Sequence, residues 1–105
     1  MAWIYLFAAA VLEVAWAIGL KYSNGFTRPV ASVLTIVGML GSFYLLSQAV
    51  RTIPIGTGYA IWTGIGAAGT AVLGMILFAE PATIGRIMCL AMIVAGIVGL
   101  KMASG

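Results

Sequence analysis

Seven charged side chains divide this 105-residue chain into four long apolar runs, and their spacing constrains the fold more than any other feature. Ala2 to Leu20 contains one acid, Glu13, while Val30 to Val50, Thr52 to Ala79 and Ile87 to Leu100 contain no charge at all. A hydrocarbon core of ~30 Å takes about 20 helical residues at 1.5 Å each, so the first three runs are long enough to cross. The fourth crosses only by borrowing residues back toward Pro81, with Arg86 and Lys101 snorkelling at its ends. Charged residues make up 7% of the chain, against roughly 25% in soluble domains. The sequence therefore predicts an all-α membrane protein, a single four-helix transmembrane domain over residues 1–105, with spans at about 2–20, 30–50, 54–79 and 82–100.

Punctuation residues agree with those spans. Pro29, Pro54 and Pro81 each stand near the beginning of one of the last three runs, where a missing N–H costs nothing, and none interrupts a span. The connections are short, the first carrying the turn pair Asn24-Gly25, which predicts up-and-down helical hairpins. Ala8-Ala9-Ala10 has the small-residue character of a signal-peptide cleavage site. The start lacks Lys and Arg, however, Glu13 interrupts the apolar stretch, and the rest of the chain is equally hydrophobic, so this segment reads as the first span.

The polar inventory excludes most chemistry. The chain has no His and no Asp; its acids are Glu13 and Glu80, and its bases are Lys21, Arg28, Arg51, Arg86 and Lys101. A Ser-His-Asp triad, a His-containing metal site or a pair of aspartates cannot be assembled, and the lone Cys89 reads as a small hydrophobe in a helix. No enzyme, metal or cofactor is expected. Gly64-Ile65-Gly66 lacks the Lys-Ser/Thr and the strand that a phosphate loop needs. The five bases lie at loop edges, where they meet lipid headgroups rather than nucleic acid.

Glu13 carries the most functional information. Eleven residues beyond Ala2, it lies about 17 Å into the bilayer, and intramembrane acids of this kind mark ion or proton paths. A proton and a cation would compete for one carboxylate, which is enough, given alternating access, to couple their movements. By residue count Ser42 and Trp62 lie about 12 and 14 Å from the side of the termini, the same depth as Glu13. Trp16 shares a helix face with Glu13, and Tyr59 shares one with Trp62. The Trp16 N–H, Ser42 O–H and Tyr59 O–H are candidate donors to the carboxylate, and aromatic faces attract a cation. Small Ala9, Ala10 and Ala17 leave room beside the acid. The glycines around Gly64 and Gly66 make the third span deformable, as a kink or as a packing surface.

Orientation is nearly undetermined. Four spans put Arg51 and Lys101 on one side and Lys21, Arg28 and Arg86 on the other, a difference of one base, which is almost no bias under the positive-inside rule. The chain is expected to insert both ways and pair as an antiparallel, dual-topology homodimer, giving the inverted symmetry that transporters commonly encode as an internal repeat. Four short helices can hardly enclose a water-accessible cavity alone. Ala91, Ala95 and Gly99 recur every four residues on one face of the fourth span and supply a candidate dimer-packing surface.

The segments Glu13-Val14-Ala15-Trp16, Leu20-Lys21-Tyr22-Ser23-Asn24-Gly25-Phe26-Thr27-Arg28, Ser42-Phe43-Tyr44-Leu45-Leu46-Ser47-Gln48-Ala49 and Ile53-Pro54-Ile55-Gly56-Thr57-Gly58-Tyr59-Ala60-Ile61-Trp62-Thr63-Gly64-Ile65-Gly66 resemble the small multidrug resistance family of bacterial four-helix transporters. The resemblance runs from about Glu13 to Lys101. It implies a multi-pass protein of the bacterial inner membrane, an antiparallel homodimer that exports small cations against protons through two copies of Glu13. Trp16 and Lys101 resemble the guanidinium-exporting branch, in which Trp16, Ser42, Tyr59 and Trp62 surround Glu13 and Gly64 and Gly66 resemble the family's kink. A broader quaternary-ammonium exporter of the same architecture is the alternative. A proton-carrying rotor subunit also has one intramembrane acid, but it is expected as a two-helix hairpin and needs no aromatic cluster.

Overall fold

The computed structural model describes residues 1–103 as four helices, α1 (Ala2–Tyr22), α2 (Pro29–Ala49), α3 (Ile55–Leu77) and α4 (Ile84–Ala103). All four are long and apolar enough to cross a membrane, as the charge spacing predicts. Pro29 occupies the first turn of α2 and Pro54 immediately precedes α3, so both prolines begin helices. The fourth helix borrows residues at both ends of its uncharged run: it begins at Ile84, three residues back from Ile87 toward Pro81 though short of residue 82, and runs forward past Lys101. Two local effects set that start: a residue before proline is disfavoured from helical geometry, which holds Glu80 out, and the Thr83 hydroxyl accepts the Arg86 N–H at 3.3 Å as an N-terminal cap.

The α1–α2 turn is fixed by one buried serine. Ser23 Oγ donates to the Leu20 carbonyl at 2.8 Å and accepts the Phe26 N–H at 3.2 Å, spanning three successive left-handed residues, Asn24, Gly25 and Phe26. The Thr27 hydroxyl closes the turn by donating to the Asn24 carbonyl at 2.7 Å.

Helix α1 lies between α2 and α3, α4 packs chiefly on α3, and α2 scarcely touches α3. Close approach of α1 and α2 depends on missing side chains: a Cβ at Gly38 would stand 3.2 Å from the Cβ of Trp16. The helices form a slab of 42 × 35 × 16 Å, whose thin dimension admits no more than two helices. Its core is one-sided. Leu6, Ala9, Ala10, Ala49, Ile53, Ile61 and Trp62 pack together toward the end that bears the termini and the α2–α3 turn. Toward the other end α1 and α3 part and leave a cleft.

The tight α1–α2 crossing yields a stability prediction. Gly38→Val forces two branches against Trp16 and is expected to destabilise the fold by about 1–3 kcal/mol. Gly56→Ala, at a site where an added Cβ meets nothing within 4 Å, is expected to be neutral. Reversible SDS unfolding followed by tryptophan fluorescence checks both, and equal midpoints for the two variants would contradict this packing.

Candidate functional site

Glu13 sits where the packed half of the slab gives way to the cleft. It projects from α1 toward α3, and Gly66 makes room for it: a methyl group at Gly66 would overlap the carboxylate. Its Oε1 is buried without a hydrogen-bond partner. The same is true of Trp16 Nε1, one helical turn further along α1, and of Thr70 Oγ1, one turn beyond Gly66 on α3. All three residues line the cleft, which has a volume of about 490 Å3. The Trp16 N–H can only donate, the ionised Glu13 carboxylate can only accept, and the Thr70 hydroxyl can do either.

The α3 wall is built from Thr63, Gly66, Ala67, Thr70, Ala71 and Gly74, whose three- and four-residue spacing keeps them on one face. Small side chains there keep the cleft open beside Glu13. Lys21, Glu80 and Arg86 line its outer part, with Arg86 Nη2 3.6 Å from Glu80 Oε1 and Lys21 Nζ 5.7 Å from the centre of the Phe78 ring.

Ser42, at the same depth, has its hydroxyl engaged by other partners. Its hydroxyl donates to the Ala9 carbonyl at 2.6 Å and accepts the Trp62 Nε1–H at 3.0 Å, both buried, so its single proton is not directed to Glu13. One α2 hydroxyl thereby ties an α1 carbonyl to an α3 indole. Around it the rings form a chain: Trp16 meets Phe43 edge-on at 6.3 Å, Phe43 meets Trp62 at 5.8 Å, and Trp62 meets Tyr59 at 5.7 Å. Tyr59 is 55% exposed and Trp62 only 7%. The structure thus brings Glu13 and Trp16 into the cleft and leaves Ser42, Trp62 and Tyr59 outside its lining.

Helix α3 stays α-helical through Gly64 and Gly66. An added Cβ at Gly64 would press on Ile97 of α4, so both glycines admit a neighbouring helix's side chain. Ala91, Ala95 and Gly99 are exposed on α4, and a Cβ at Gly99 would meet nothing within 4 Å. Lys101 does not project freely: its ammonium lies 4.8 Å over the Trp3 ring.

Sequence reasoning missed Phe43, Thr63 and Thr70. Phe43 adjoins Ser42, and the threonines lie seven residues apart in phase with Gly66, so helical periodicity measured from Gly66 would have found them.

Fold and site together define a small polytopic membrane protein built round one intramembrane carboxylate. Residues 1–93 match the family described as Small Multidrug Resistance protein, and the chain belongs to that family. Among similar proteins are a "Guanidinium exporter" of Yersinia pseudotuberculosis serotype I, 57% identical over 99% of this chain and 100% of the relative, and one of Proteus vulgaris, 58% identical over the same shares. A third, of Salmonella typhimurium, is 54% identical over 99% of each chain. With four membrane-crossing helices and this kinship, the chain is a multi-pass protein of the bacterial inner membrane.

The Ser42 junction makes a testable prediction. Ser42→Ala leaves the buried Trp62 N–H unpaired and is expected to destabilise the protein by about 1–3 kcal/mol. Trp62→Phe in that background should add less than it does alone, a coupling of about 1 kcal/mol in a double-mutant cycle by SDS unfolding. Simple additivity would contradict the bond.

Proposed function

We propose that this chain is a proton-coupled antiporter that exports guanidinium and related small guanidinyl cations, acting as an antiparallel homodimer in which Glu13 holds proton and cation in turn. The observation that carries this reading is the buried, unpartnered Oε1 of Glu13 at the inner end of the cleft. A carboxylate accepts a planar, multi-donor guanidinium through two parallel N–H···O bonds, a geometry that a single point charge does not match. Trp16 beside it limits the space open to a bulkier cation, and its ring face attracts a positive charge. The printed name of the relatives, guanidinium exporter, agrees with this choice of substrate.

Exchange follows from exclusive occupancy. A protonated Glu13 offers no net charge to the cation, and a guanidinium bound to the carboxylate neutralises its charge and repels an incoming proton. The two therefore cross in opposite directions if the site faces each side in turn. One protomer opens its cleft toward one side only, with the apolar core closing the other. A second copy of opposite orientation supplies the reverse opening, and the pair exchanges roles when both change conformation. Three features support a partner: the slab is only 16 Å thin, the cleft is laterally open, and the Ala91, Ala95 and Gly99 face of α4 is uncovered. In this reading the Glu13 residues of two copies share a site, with Trp16 beside them and Ser42, Trp62 and Tyr59 bracing it. Gly64 and Gly66 serve as the hinge.

The experiment is guanidinium flux into proteoliposomes carrying a pH gradient, with tetraphenylphosphonium as competitor. Expected are proton-driven guanidinium flux, abolition by Glu13→Gln with the dimer intact, and little inhibition by the bulky cation. Strong inhibition would favour the broader quaternary-ammonium exporter, and absence of guanidinium flux would refute the reading. A pH dependence follows from the competition. Below the pH at which the carboxyl is half-protonated, each unit of acidification should weaken apparent guanidinium affinity about tenfold, and above it affinity should be flat. A binding titration across pH checks this, and pH-independent binding would contradict it.

A further inference from the structure

We propose that Glu80 is an outer binding station for the guanidinyl cation on its way to or from Glu13, occupied in this structure by the chain's own Arg86; this rests on the functional reading above. Glu80 and Glu13 line the same cleft. Each packs over a glycine of α3, Glu13 over Gly66 and Glu80 over Gly74. Eight residues of helix separate those glycines, about 12 Å along the axis. Thr70, whose hydroxyl is buried and unpartnered, lies midway between them on the same wall. A cation moving along the cleft thus meets a carboxylate, a hydroxyl and a second carboxylate at intervals of about 6 Å.

The backbone aims Glu80 inward. Ala79 adopts a left-handed conformation with φ of 53°, which few residues with a Cβ accept without strain, and the turn it makes returns Glu80 over the end of α3. There the Glu80 N–H donates to the Gly74 carbonyl at 3.4 Å. The same turn caps the end of α3, so helix termination and the placing of Glu80 are achieved together.

The outer cleft is otherwise hostile to cations. It holds two bases, Lys21 and Arg86, and one acid, Glu80. Arg86 bears a guanidinium, the chemical group of the proposed cargo, and it rests 3.6 Å from the Glu80 carboxylate with both side chains 41% exposed. An exposed pair of that kind holds weakly and exchanges readily, so a free guanidinium can take the place of the tethered one. Arg86 is then an internal competitor. It keeps the carboxylate paired when no cation is present and yields it when one arrives.

Two substitutions that break the same ion pair separate this role from a merely structural one. Guanidinium flux by the full-length protein in proteoliposomes is measured for the unaltered chain, Glu80→Gln and Arg86→Ala, at about 0.5 M salt, where a Debye length of about 4 Å suppresses diffuse fields. An outer station predicts opposite shifts: Glu80→Gln raises KM about three- to fivefold, Arg86→Ala lowers it by a similar factor, and kcat is unchanged within about twofold in both. If the pair only staples the loop, the variants move in the same direction or not at all, and that result overturns the proposal. Failure of the functional reading looks different. It is absence of guanidinium flux in the unaltered chain, and it removes the outer station with it.

Discussion

A carboxylate inside hydrocarbon is tolerated only when the surrounding protein offers it polar partners or an exchangeable counter-ion, and the arrangement of these four helices turns on that constraint at Glu13. Placing an acid at the centre of a span costs about 2.5–3.5 kcal/mol on insertion scales. The protein meets this by putting α1 between α2 and α3, so that Glu13 faces a neighbouring helix and not lipid. Gly66 admits the side chain, and the cleft brings Trp16 Nε1 and Thr70 Oγ1 to the same wall-lined space. The site is thereby left with polar groups in need of partners, a condition that favours binding over stability.

Rigidity beside the site comes from Ser42. A hydroxyl has one proton and two lone pairs, and here the proton goes to α1 and a lone pair receives an α3 indole, so that three helices meet at one oxygen. Phe43 then carries ring packing from Trp16 to Trp62. Beyond this junction the helices are free to part, which is why core and cleft occupy opposite ends of the slab. Helix α4 adds little to either, Ile97 against the core and Arg86 at the outer cleft. None of its residues is buried, and its large side chains, Met88, Met92 and Met102 among them, lie open.

Much of this was legible in the chain because charges are so few. Seven of them mark four spans, and counting rise per residue from their ends puts Glu13, Ser42 and Trp62 at one depth, where the structure joins the last two directly and sets Glu13 against α3. Depth alone does not choose between acceptors. The Ser42 proton goes to Ala9 and not Glu13 because the rotation of α2 about its axis, invisible to counting, turns the hydroxyl toward the α1 backbone. Counting brings α4 back toward Pro81 but does not fix its start at Ile84 for a related reason: hydropathy has no term for the left-handed Ala79 or for the Thr83 cap. Thr63 and Thr70 escaped notice because threonine is unremarkable in an apolar helix until a partner helix defines which face matters.

The central claim, that proton and guanidinium exclude each other at Glu13, is tested most directly by adding guanidinium to the purified protein in weakly buffered detergent solution, at a pH where the carboxyl is protonated, and recording the bulk pH. The account predicts acidification that saturates with guanidinium binding and vanishes in Glu13→Gln. Saturable guanidinium binding with no proton released would contradict it.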